Sequence, residues 1–165
     1  MIKIELTKIE LPDGTVLKIP NTGSGWELID SVTLEEPTKT VALGGNLDEY
    51  GIVYFKVSIP AVDEVYYSAI SLSQTSAFNW TQKVNQSSTP AEQPYYFRGI
   101  YYSEENKVFC EVGKASQYEL NARISNAQSA LSTPFIPKYL VVTTNTENIN
   151  LPVNTHAEIW GIKRS

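Results

Sequence analysis

One histidine and one cysteine among 165 residues leave this chain short of the side chains on which most metal and nucleophile chemistry depends. A zinc site built from histidine and cysteine needs more ligands than His156 and Cys110 can supply. Cys110, being alone, cannot form an intrachain disulfide, so stability has to come from packing or from association with other copies. Its neighbours Val108, Phe109 and Val112 read as a strand, and a lone cysteine there reads as a small buried hydrophobe. His156 would need a serine and an acid brought to it from elsewhere to form a triad. No Gly-x-Ser-x-Gly elbow marks such a serine, and a strand-entry histidine is the simpler reading.

Phosphate loops are lacking too. Gly23-Ser24-Gly25 and Gly44-Gly45 are not followed by Lys-Ser/Thr at Walker spacing, so both read as turns. The turn at Asn46, Asp48 and Glu49 falls short of a complete calcium loop. Acid pairs such as Glu35-Glu36, Asp48-Glu49, Asp63-Glu64 and Glu104-Glu105 are adjacent, and in a strand their side chains would diverge rather than face one another across a sugar. Basic residues are scattered, with only Lys163-Arg164 adjacent and a net charge of -5, which argues against nucleic acid or an anionic membrane as partner. No stretch approaches the roughly 18 apolar residues of a membrane helix, and the first residues lack the apolar core of a signal peptide. The chain therefore reads as soluble, without membrane insertion, metal or cofactor.

What is present is alternation with a period of two. Over residues 52–60, Val53, Phe55, Val57 and Ile59 fall on one face and Tyr54, Lys56 and Ser58 on the other. Residues 66–72 repeat the pattern less cleanly, residues 138–144 are rich in β-branched side chains, and residues 157–163 close the chain as a short strand. Turn clusters at Pro12-Asp13-Gly14, residues 21–25, Gly44-Gly45-Asn46 and Glu104-Glu105-Asn106 separate these runs. The pattern predicts an all-β chain, an antiparallel sandwich or barrel. Residues 118–131 fit both periods; a strand through about Ile124 followed by an irregular or briefly helical stretch is favoured. Residues 1–20 read as a hairpin in which Ile2, Ile4 and Leu6 alternate and 16–19 return. A lone hairpin is marginal in water, so it would serve as an arm packed on a main body at 21–165 or on a neighbouring subunit.

Ten tyrosines supply the positive signal. If residues 95–102 form one strand, Tyr95, Phe97, Gly99 and Tyr101 share a face and Tyr96, Arg98, Ile100 and Tyr102 share the other, unless Gly99 bulges the strand. One row fills the core. The second is either buried, at a subunit interface for example, or a platform for stacking sugar rings. Trp80, Tyr96, Arg98 and Tyr102 are the candidate ligand contacts, with no catalytic residues among them. Phe78-Asn79-Trp80 reads as an exposed contact loop.

Trp26-Glu27-Leu28-Ile29-Asp30-Ser31-Val32-Thr33-Leu34 and the closing His156-Ala157-Glu158-Ile159-Trp160-Gly161-Ile162-Lys163 together resemble the first and last strands of β-sandwich domains in structural proteins of tailed bacteriophages and prophages. Tyr50-Gly51-Ile52-Val53-Tyr54-Phe55 is similar to that family's second long strand. The resemblance spans about residues 26–163, departing where the family's Gly-Thr before the last strand is replaced by Asn154-Thr155. It implies a jelly-roll-like sandwich located in the virion (tail, fibre or baseplate), a homotrimer contacting other virion proteins, and no enzymatic activity. The amino-terminal hairpin would then be an attachment or trimerisation element. A host-surface glycan is a further expected contact. The alternative reading is a free-standing, monomeric carbohydrate-binding module using Trp80, Tyr96 and Tyr102. A glycan hydrolase drawing on one of the adjacent acid pairs has the least support.

Overall fold

The computed structural model describes residues 8–10, 16–18, 25–63, 67–88, 94–114, 123–126 and 135–164. They form twelve strands: β1 Lys8–Glu10, β2 Val16–Lys18, β3 Glu27–Thr33, β4 Thr40–Gly44, β5 Tyr50–Ile59, β6 Tyr67–Ser73, β7 Lys83–Ser88, β8 Tyr95–Tyr102, β9 Lys107–Lys114, β10 Arg123–Asn126, β11 Tyr139–Thr144 and β12 His156–Lys163. Two single turns of 3-10 helix, Leu47–Glu49 and Trp80–Gln82, are the only helical elements among the described residues. No helix there is long and apolar enough to cross a membrane.

The chain is an antiparallel, jelly-roll-like β-sandwich preceded by a small hairpin. One sheet has the order β10-β9-β8-β5-β12-β3 and the other β4-β11-β6-β7. The hairpin pairs Lys8 with Lys18 and Glu10 with Val16, so its ladder lies next to the turn. Residues 2–6, where the sequence alternates, and Tyr66 lie outside the described residues. So does most of 118–131, of which Arg123–Asn126 is strand.

Alternation decides the inner layer. Val53, Phe55, Val57 and Ile59 of β5, Tyr95, Phe97 and Tyr101 of β8, and Ile159 of β12 are all buried and meet Ile70, Leu72, Leu140 and Val142 of the opposing sheet. A buried hydrogen bond joins the hydroxyls of Ser68 on β6 and Tyr95 on β8, satisfying two polar groups inside the core. Side chains also tie both flanks of the sandwich. Asp30 on β3 accepts from the Gly44 N–H on β4 at 2.9 Å, and the Asn85 amide on β7 donates to the Cys110 carbonyl on β9 at 3.4 Å.

Gly99 does not bulge β8. It stays in register opposite Phe55 and Cys110. Its role is steric, because a Cβ there would overlap the Phe55 ring and the Phe109 carbonyl. Asn154, in the turn into β12, has φ of 66°, a left-handed conformation that glycine takes freely and asparagine tolerates better than most residues.

Gly99→Ala is expected to cost about 1–3 kcal/mol through overpacking, whereas Gly25→Ala, with nothing within 4 Å of its Cβ, should be neutral. Urea unfolding checks both, and equal effects would contradict the packing described. A second expectation concerns pH. Burial pushes the Cys110 thiol and the Tyr101 phenol up to about 12, and burial together with the Glu27 hydrogen bond does the same for Tyr50. Folding therefore favours their protonated forms. The stability they contribute is complete below about pH 9 and is lost as pH rises toward 12, at about 1.4 kcal/mol per unit of pKa separation. The urea midpoint should fall between pH 9 and 11.5; a flat midpoint would contradict the burial of these groups.

Candidate functional site

The outer face of the six-stranded sheet is built in rows that run across the strands. Cross-strand pairing sets Leu28 beside Trp160, Trp160 beside Tyr54, Tyr54 beside Ile100 and Ile100 beside Phe109. This row is apolar from β3 to β9. One step along the strands, Glu158, Lys56, Arg98 and Glu111 form a row of two acids and two bases. One step further lie His156, Ser58, Tyr96 and Gly113. Such side-by-side rows follow from the period of two: residues i and i+2 share a face, so composition at alternate positions becomes a stripe.

Trp26, Tyr54, Ile100 and Trp160 line an open cleft of about 350 Å³ on the apolar row. Trp26 immediately precedes β3 and is 48% exposed, and Leu28 is 49% exposed. The Tyr54 phenol is held above its ordinary pKa mainly by burial, partly offset by the nearby Arg98 charge. A second cleft of about 250 Å³ opens at the end of the same sheet, lined by Ser58 and Tyr96 of the outer face, by the inward Ile59 and Tyr95, and by Pro60, Pro94 and Asn154.

Arg98 organises the ground between the clefts. It forms an ion pair with Glu111, and its guanidinium carbon lies 5.7 Å from the centre of the Tyr96 ring, within cation–π range. The hydrogen bond that Arg98 donates to the Glu111 carboxylate holds the Arg98 pKa above its ordinary value. Gly113 completes the seat of Tyr96, since a Cβ there would overlap the phenol ring.

The four residues expected as ligand contacts fall into three environments. Tyr96 and Arg98 share the outer face and touch, as alternation predicts. Tyr102 shares their parity but is 2% exposed, packed against Ile52 and Ile100, with its hydroxyl donating to Glu104 at 2.8 Å. It is a structural residue rather than a contact. The sequence could not show this, because the cover comes from a cross-strand partner. Trp80 is 48% exposed but belongs to the connection between β6 and β7 of the other sheet, where its ring sits 4.5 Å from that of Phe78. It cannot share a platform with Tyr96.

Sequence reasoning missed the Trp26–Trp160 cleft. A signal existed: Tyr54 and Trp160 both sit at positions that alternate with core residues. Strand order was the missing piece. The histidine also gains partners unforeseen from sequence. As the first residue of β12, His156 hydrogen-bonds the Thr33 hydroxyl at 2.8 Å and approaches Glu158 at 3.4 Å. The three side chains sit on neighbouring positions of adjacent strands and tie β12 to β3. Among the described residues no cluster of three or more potential metal ligands occurs.

Comparison with protein-family models, with curated proteins and with solved structures finds no match to this chain.

The different environments of Tyr102 and Arg98 predict different costs of truncation. Tyr102→Ala should destabilise the fold by about 3 kcal/mol, as for a buried aromatic side chain. Arg98→Ala should cost less than about 1 kcal/mol, because half of the Arg98 side chain lies in solvent. Denaturant unfolding of both variants checks this, and a mild Tyr102→Ala would contradict its burial.

Proposed function

We propose that the chain is a non-enzymatic structural protein of a tailed bacteriophage or prophage particle. In this reading it is a tail, fibre or baseplate component that presents the outer face of its six-stranded sheet to a host surface and assembles as a homotrimer with other virion proteins. One observation carries the reading. The two segments that resemble the first and last strands of such domains are neighbours in the sheet, and their tryptophans, Trp26 and Trp160, line one exposed cleft. A domain rarely leaves an exposed indole beside a half-buried indole and a half-buried phenol in an open cleft unless that surface meets something.

The β1–β2 hairpin fits an attachment role. It forms its own two-stranded sheet, and so small an element needs a partner surface to be stable. A free-standing carbohydrate-binding module is the second reading, and the same aromatic cleft favours it. The two differ in assembly. Light scattering coupled to size exclusion is expected to give a mass three times that of the chain; a monomer across the accessible concentration range would contradict the virion reading and support the second.

A further inference from the structure

Two clefts, one charged row between them and a shared sheet face define a ligand shape. Tyr54 and Ser58, which mark the two clefts on β5, are four residues apart, or about 14 Å at the rise of an extended strand. A ligand reaching both must therefore be extended and lie along β5 and β8. Its ends must offer flat apolar faces to aromatic rings, and its middle must offer hydrogen-bonding groups to Lys56, Arg98, Glu158 and Glu111. A sugar chain has both kinds of surface on every ring: C–H faces that stack and hydroxyls that bond.

Charge narrows the class further. The middle row holds two acids and two bases, with Arg98 already paired to Glu111. Such a row has no net charge with which to attract an anionic or cationic polymer. A cleft of about 350 Å³ suits a body the size of a ring rather than a helix. A second protein copy would need on the order of 800 Å² of complementary surface per partner, yet the apolar surface here is a single row bordered by charges.

We infer that the outer face of the six-stranded sheet binds a neutral, extended oligosaccharide, with one ring in the Trp26–Trp160 cleft and the chain crossing the charged row toward Tyr96. This deepens the reading of that face as the one presented to a host surface, and it moves the contact away from Trp80 and Tyr102.

The test is calorimetric titration of the full chain with cellotetraose, maltotetraose and tetra-N-acetylchitotetraose, with tetragalacturonate as the anionic comparison. At least one neutral tetrasaccharide is expected to bind saturably, and tetragalacturonate is not. Trp26→Ala and Trp160→Ala should each weaken that binding by about tenfold or more, the scale of one lost aromatic stacking contact. Trp80→Ala should leave it unchanged. Trp26 is an exposed position, so its variant keeps the test decisive even if Trp160→Ala fails to fold. Absence of binding by all three neutral sugars, binding that survives the Trp26 substitution, or binding of the anionic sugar alone would overturn the inference. So would dissociation of an assembled protein by Trp26→Ala, which would identify the face as a contact between copies. Light scattering on the same samples separates the two claims. A trimer that ignores sugars overturns this inference and leaves the virion reading standing; a monomer that binds them does the reverse.

Discussion

The register of β5 between β8 and β12 is the constraint on which the rest of this molecule depends. β5 is the long central strand of the larger sheet, and its two faces have unrelated jobs. Val53, Phe55, Val57 and Ile59 fill the core, while Tyr54, Lys56 and Ser58 supply one member to each row of the outer face. A slip of one residue would exchange the faces, sending Lys56 into the interior and Phe55 into water. The hydrophobic cost of that exchange fixes the register, and the register in turn aligns Tyr54 with Trp160 and Ile100. Core packing and surface chemistry are thus set by one choice.

This coupling explains how paired strands build an aromatic cleft on the outer face of the sheet. The aromatic cleft needs no dedicated loop. It arises because Tyr54, Ile100 and Trp160 fall at paired outward positions of β5, β8 and β12, and because Trp26 flanks β3 at the end where Trp160 emerges. Strands hold these rings, so a ligand of the proposed kind would meet a preformed surface at little ordering cost. The ties at the sandwich flanks, Asp30 to Gly44 and Asn85 to Cys110, keep the two sheets together beneath it.

Much of the fold was legible because period-two alternation is a local property. The faces of β5 and β8 could be read residue by residue, and β8 runs over Tyr95–Tyr102 without a break. The turn glycines were legible as well: Gly44 and Gly45 have φ of 97° and 106°. Strands β4 and β7 were harder, since Lys83–Ser88 is mostly polar and its alternation is faint. The site was less legible than the fold. Parity assigned Tyr96, Arg98 and Tyr102 to one face, but exposure along that face depends on neighbours contributed by distant segments. Ile52 covers Tyr102, Gly113 seats Tyr96, and Trp26 joins Trp160 only once β3 and β12 are known to pair. Strand order is a global property, and it decides which aromatics converge.

Trp26 and Trp160 line one cleft, and Trp80 lies apart from them on the connection between β6 and β7. The chain has three tryptophans, so three indole N–H resonances report on it directly. An NMR titration of the nitrogen-labelled protein with the neutral tetrasaccharides should move the Trp26 and Trp160 indole signals together, with a common saturation curve, while the Trp80 signal stays in place. Stationary Trp26 and Trp160 signals, or movement of Trp80 alone, would contradict the proposed ligand contact.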